Sequence, residues 1–111
     1  MDVLEMSRRR HGDLTVFTLA GEVDADNVGQ VRAAFDAAVR SHGPRLVLDL
    51  SGLTFIDTTG LGALVRLRAV LDALEGSLSL VAPDGQVLRR LRRTNLAPLF
   101  PIYDSLSQAL A

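Results

Sequence analysis

Two hydroxyls and a carboxylate stand together at Asp57-Thr58-Thr59, with glycines following at Gly60 and Gly62. A threonine hydroxyl attacks acyl or glycosyl centres only when a base of suitable pKa activates it. The chain has just two histidines, His11 and His42. Both fall in turn-like stretches and neither has metal-ligand spacing to another His, Asp or Glu, so they read as solvated turn residues. The chemistry left to Thr58 and Thr59 is that of acceptors. A polar turn between a strand and a helix puts hydroxyls beside unpaired backbone N–H groups at the positive end of the helix dipole, where an added anion has a large local effect. Thr58 or Thr59 therefore reads as a modifiable switch, against the plainer reading of an N-cap with a helix-entry glycine. Gly60-x-Gly62 lacks the rest of a dinucleotide-binding fingerprint. The arginines between Arg89 and Arg93 have no interleaved aromatics for base stacking and read as a solvated helix face.

The bulk properties narrow the classes further. The chain has 111 residues, 48% apolar and 23% charged, with net charge -1. A domain takes roughly 100 to 200 residues, so 1–111 is expected to form one domain. The charge balance gives no long-range attraction to nucleic acid. All 12 basic residues are Arg and there is no Cys, which excludes disulfides and thiolate metal sites. No cofactor and no metal are expected. The first residues lack the order of a signal peptide, and no apolar run approaches the ~20 residues that a bilayer requires. A cytoplasmic protein without membrane insertion is expected.

The elements that must position Asp57-Thr58-Thr59 follow from periodicity. A two-residue alternation predicts an edge strand over 3–10, a turn at His11-Gly12-Asp13 and a stronger strand over 14–19, together an antiparallel hairpin. Gly21-Glu22-Val23-Asp24 is expected to leave the sheet. Val28, Val31, Phe35 and Val39 recur at spacings of 3, 4 and 4, which predicts an amphipathic helix capped within 24–27 and stopped by His42-Gly43-Pro44. Leu46-Val47-Leu48 reads as a buried strand, and the segment from Gly60 to Leu74 as a helix ended by Glu75-Gly76. A strand over 77–81 follows, then a helix whose apolar face is Val87, Leu88 and Leu91. Near Ile102-Tyr103 a brief strand is expected, and after it a short helix capped by Asp104 or Ser105. This order predicts an α/β fold with a mixed sheet.

The run LVLDLSGLTFIDTTGLGAL (46–64) resembles the signature of the STAS domain, the family named for sulphate transporters and anti-sigma factor antagonists. A second stretch, LAGEVD (19–24), is similar to an upstream marker of its soluble single-domain members, the anti-anti-sigma factors. The resemblance covers nearly the whole chain. It implies a mixed β-sheet of four to five strands with helices packed mainly on one side. It also implies a regulator with no catalytic activity, which binds an anti-sigma factor serine/threonine kinase when unphosphorylated and so releases a sigma factor. The hydroxyl residue after the aspartate would be the phosphorylation site, which selects Thr58, where many relatives have Ser; a protein phosphatase would act on the phosphorylated form. Partner-binding residues carried over by position are Gly21, Glu22, Asp24, Asp57, Thr58, Thr59, Gly60 and Leu61. STAS domains also serve as binding subunits of lipid-transport ABC systems and of stress-signalling assemblies, without need of phosphorylation, and that is the alternative implied.

Overall fold

β2 (Leu14–Val23) is the strand on which the sheet is built, and the computed structural model, which describes residues 3–111, gives it three partners. It pairs antiparallel with β1 (Glu5–His11) through the expected hairpin, with Arg9 opposite Val16. On its other side it runs parallel to β3 (Arg45–Asp49), and parallel pairing continues to β5 (Ser77–Val81) and β6 (Ile102–Tyr103), giving the order β1-β2-β3-β5-β6. A sixth strand, β4 (Leu53–Ile56), lies off this path and pairs parallel with the far end of β2.

Two expectations change here. Gly21-Glu22-Val23 does not leave the sheet: β2 runs to Val23, and a register shift between Gly21 and Glu22 re-aims its last residues onto Leu53, Phe55 and Ile56. Such an irregularity bends a strand and lets it change partner. Residues 53–56, to which the sequence assigns no element, form β4 on the strength of that pairing. β1 is one edge of the sheet, and Arg8, Arg9 and Arg10 along it are exposed.

Among the described residues the four α-helices are α1 (Val28–His42), α2 (Thr58–Ala73), α3 (Gln86–Arg93) and the short α4 (Leu106–Leu110). Side chains of a strand alternate between faces. Phe17, Leu19, Leu46, Leu48, Leu78 and Leu80 accordingly enter one core with Val31 and Phe35 of α1, Leu61, Leu64, Leu67 and Leu71 of α2, and Val87 and Leu91 of α3. Three of the four helices thus share one side of the sheet. Val16, Val47 and Val81 are also buried but stand outside that cluster, and α4 packs on β5 and β6. Phe17 meets Phe35 edge-on, with ring centroids 5.0 Å apart. Each large apolar side chain so buried contributes about 1.5–3 kcal/mol by removal from water.

Helix ends follow the local rules. Gly43 closes α1 with φ 96°, and its N–H donates to the Val39 carbonyl. Ser105, not Asp104, caps α4, accepting from the Gln108 backbone N–H. α1 and α2 are also tied by Arg66, which donates to both oxygens of Asp36 at 3.1 and 3.3 Å. Both side chains are partly solvated, so the pair is worth at most about 1 kcal/mol.

Candidate functional site

Thr58 is the first residue of α2 and is exposed at the point where β4 ends. The turn that presents it is short because Asp57 does two jobs. Its backbone is extended, φ -95° and ψ -173°, and its N–H donates to the Val23 carbonyl at 3.1 Å, continuing the β2–β4 pairing by one residue. Its carboxylate then caps α2: Oδ1 accepts from the Gly60 backbone N–H at 3.1 Å and from the Thr59 hydroxyl at 2.6 Å. Thr59 is thereby committed to the cap, whereas no side-chain hydrogen bond engages Thr58 among the described residues.

The Thr59 hydroxyl bond, aided by the backbone N–H groups of Gly60, Thr59 and Ala25, holds the Asp57 carboxyl below its ordinary value of 3.8 against an opposing effect of burial. A depressed carboxyl stabilises the fold above its unfolded pKa, and this is lost as pH falls through the folded value. Asp57→Ala is expected to destabilise the protein by about 1 kcal/mol at neutral pH, the usual worth of an N-cap. The gap between wild type and variant should shrink as pH drops below about 4, since protonation removes the charged acceptor from wild type alone. Urea titrations of both proteins at neutral and acid pH check this; an unchanged gap would show that the charged cap contributes nothing.

The second side of the site is the turn from β2 into α1. Gly21 has φ 96°, and a Cβ there would lie 2.3 Å from the Val3 carbonyl oxygen. Its own N–H donates to the Gly52 carbonyl and its carbonyl accepts from the Thr54 hydroxyl, both at 3.0 Å. Asp24 and Asn27 then lock the turn reciprocally. Asp24 Oδ1 accepts from the N–H groups of Asp26 and Asn27, Asn27 Oδ1 accepts from the Asp24 N–H, and Asn27 Nδ2 donates to the Glu22 carbonyl. The Asp57 N–H bond to the Val23 carbonyl sets 57–60 beside the 21–27 turn.

The residues selected from the sequence therefore come together, in unequal roles. Thr58 is exposed, while Glu22, Asp24, Asp57 and Thr59 are half-buried and can be touched from outside. Gly21, Gly60 and Leu61 are buried. A Cβ on Gly60 would lie 2.5 Å from Ile56 Cγ1 and 2.9 Å from Val23 Cγ1, so this glycine lets α2 approach β4. Leu61 is 3% exposed and belongs to the core; its side chain supports the site from beneath and does not offer a contact. The outward residues of the next turns are Gly62 and Val65. Phe55, 38% exposed on β4 with Arg90 of α3 stacked 5.6 Å from its ring centre, was not selected from the sequence; an aromatic directly ahead of the polar turn was the available signal. Among the described residues no group of three or more His, Asp or Glu is placed to hold a metal ion, and no helix is long and apolar enough to cross a membrane.

Known proteins resemble this chain in sequence and in fold. The chain is 29% identical over 108 residues to the anti-sigma F factor antagonist of Paenibacillus polymyxa, covering 96% of this chain and 92% of that one. Its fold matches the crystal structure of an anti-sigma factor antagonist from Mycobacterium paratuberculosis with TM-score 0.89 and 29% identity, over 98% of this chain and 92% of that one. The phosphorylated form of SpoIIAA, the Bacillus cell fate determinant, has the same fold at TM-score 0.72 and 21% identity, over 97% and 96% of the two chains. Residues 5–109 match the STAS domain; with the match spanning β1 to α4, this chain belongs to the STAS domain family.

Proposed function

We propose that this domain is a cytoplasmic anti-sigma factor antagonist: a binding protein that in its unphosphorylated form engages an anti-sigma factor kinase, so freeing a sigma factor, and lets go when Thr58 is phosphorylated. The observation that carries this reading is the exposed Thr58 hydroxyl at the first position of α2, beside a neighbour, Thr59, whose hydroxyl is spent on Asp57. The names of the relatives support the regulatory role.

Phosphate on Thr58 would add about −1.5 to −2 charges next to Asp57, whose N–H bonds to the Val23 carbonyl just ahead of Asp24. For the free domain the helix N-terminus offsets that charge. In an interface, like-charge repulsion and desolvation act without such relief. The fold survives and the complex does not. A protein phosphatase acting on the phosphorylated form resets the switch.

The test is to incubate the purified protein with candidate anti-sigma kinases and ATP and to locate phosphate by mass spectrometry. Modification of Thr58, absent from Thr58→Ala, is the expected result. Label on another residue, or label that persists in Thr58→Ala, would overturn the switch.

A further inference from the structure

A groove of about 440 Å³ opens between β4 and α3, with Phe55 and Ile56 on one wall and Gln86, Arg89, Arg90 and Arg93 on the other. We infer that this groove docks an acidic segment of the protein partner, its carboxylates held by the three arginines. The inference rests on the domain being a partner-binding module, as proposed above, but not on phosphorylation of Thr58.

Three observations lead to it. First, the groove's arginines are largely unneutralised. Of the other arginines, Arg45, Arg66 and Arg68 pair with Asp13, Asp36 and Asp72, and Arg8, Arg9, Arg10, Arg32, Arg40 and Arg92 have no ion pair among the described residues, so what marks the groove is that its arginines converge on one hollow. In the groove only Arg89 approaches a carboxylate, at 3.9 Å, and that residue, Asp84, has a side chain 87% exposed. Among the described residues Arg90 and Arg93 have no ion pair. The dipole of α3 favours cations in its last turn, yet it does not explain why they gather around a hollow. Second, Arg90 is pre-oriented by stacking on Phe55. A guanidinium fixed by its face keeps its N–H edge available for bidentate contact with a carboxylate. Third, Ile56 directly precedes the Asp57 cap, so the groove adjoins the Thr58 surface and a partner seated on one reaches the other. The exposed part of the Phe55 ring suits an aliphatic side chain set between the acids, with Ile56 buried behind it.

The probe is a short synthetic peptide of Glu and Asp residues with one central Leu, titrated into isotope-labelled protein and followed by amide chemical shifts. The expected result is saturable shifts at Phe55, Gln86, Arg89, Arg90 and Arg93. The Arg90→Glu/Arg93→Glu double variant should weaken binding about tenfold or more, the scale of losing charge-assisted bonds. Arg32→Glu/Arg40→Glu, on exposed positions of α1 outside the groove and with the same charge change, should bind like wild type. If the groove double variant lacks a native spectrum, single Arg90→Gln and Arg93→Gln variants carry the test. Equal loss in the α1 variant, shifts spread away from the groove, or occupancy by inorganic tripolyphosphate without any by the peptide would each overturn the assignment. The peptide assay contains no kinase, so it can fail while Thr58 is still phosphorylated, and the phosphorylation assay can fail while the groove still binds.

Discussion

Thr58→Glu is expected to bind an anti-sigma kinase at least tenfold more weakly than wild type, and the phosphorylated protein more than a hundredfold, a loss of roughly 3 kcal/mol. The thermal midpoint should move by no more than about 5 °C, because an anion in the first turn of a helix is worth only about 0.3–1 kcal/mol either way. The two measurements separate for a structural reason. Thr58 contributes its side chain to no core contact and to none of the cap's hydrogen bonds, so the fold scarcely registers the change. The turn that holds it carries Asp57 and is bonded to the strand end that leads into Asp24 and Asp26, so a bound partner would feel each added charge. Calorimetric titration with the kinase and a thermal melt of the same samples decide it. Equal affinity of wild type and Thr58→Glu would sink the mechanism.

Gly21→Ala should be the most damaging single change at the site, by about 3 kcal/mol, from strain at an unfavourable φ added to overpacking. Its φ of 96° is a conformation that L side chains rarely adopt, and the new methyl would meet a backbone carbonyl, that of Val3, at 2.3 Å. The carbonyl cannot swing aside as a side chain would. The thermal midpoint should fall by roughly 10 °C or more for a chain of this size. Partner binding should weaken with it, since Gly21 holds Gly52 and Thr54 and so ties β4 to the end of β2. A midpoint within about 2 °C of wild type would show that the 3–4 segment yields freely and that Gly21 is not under constraint.

What was legible in the sequence is what rests on local chemistry. Val28, Val31 and Phe35 recur at helical spacing and are all buried in α1; Asp57, Gly43 and Ser105 terminate helices because capping depends on a few adjacent residues. What escaped was set by distant chain. Leu53-Thr54-Phe55-Ile56 has buried ends and an exposed middle, which matches neither strand nor helix periodicity, and it becomes a strand only by pairing with Gly21–Val23 some thirty positions earlier. The continuation of β2 through a glycine depends on the same pairing. Within the candidate site, a polar turn with an aspartate before two threonines was readable from spacing, and the structure exposes Thr58 and makes Asp57 the cap, whereas Leu61 turns inward. Its place three residues before Leu64 on the core stripe of α2 carried that information.

The β1 edge of the sheet has a consequence for how crowded this protein can become. β1 exposes unpaired backbone donors and acceptors along seven residues, a template on which another chain's strand can add. Arg8, Arg9 and Arg10 line that edge with consecutive positive charges, so two copies approaching edge to edge repel before they can pair. The net charge of -1 gives no such guard, and concentrated salt, which screens the arginines, weakens the repulsion along this edge.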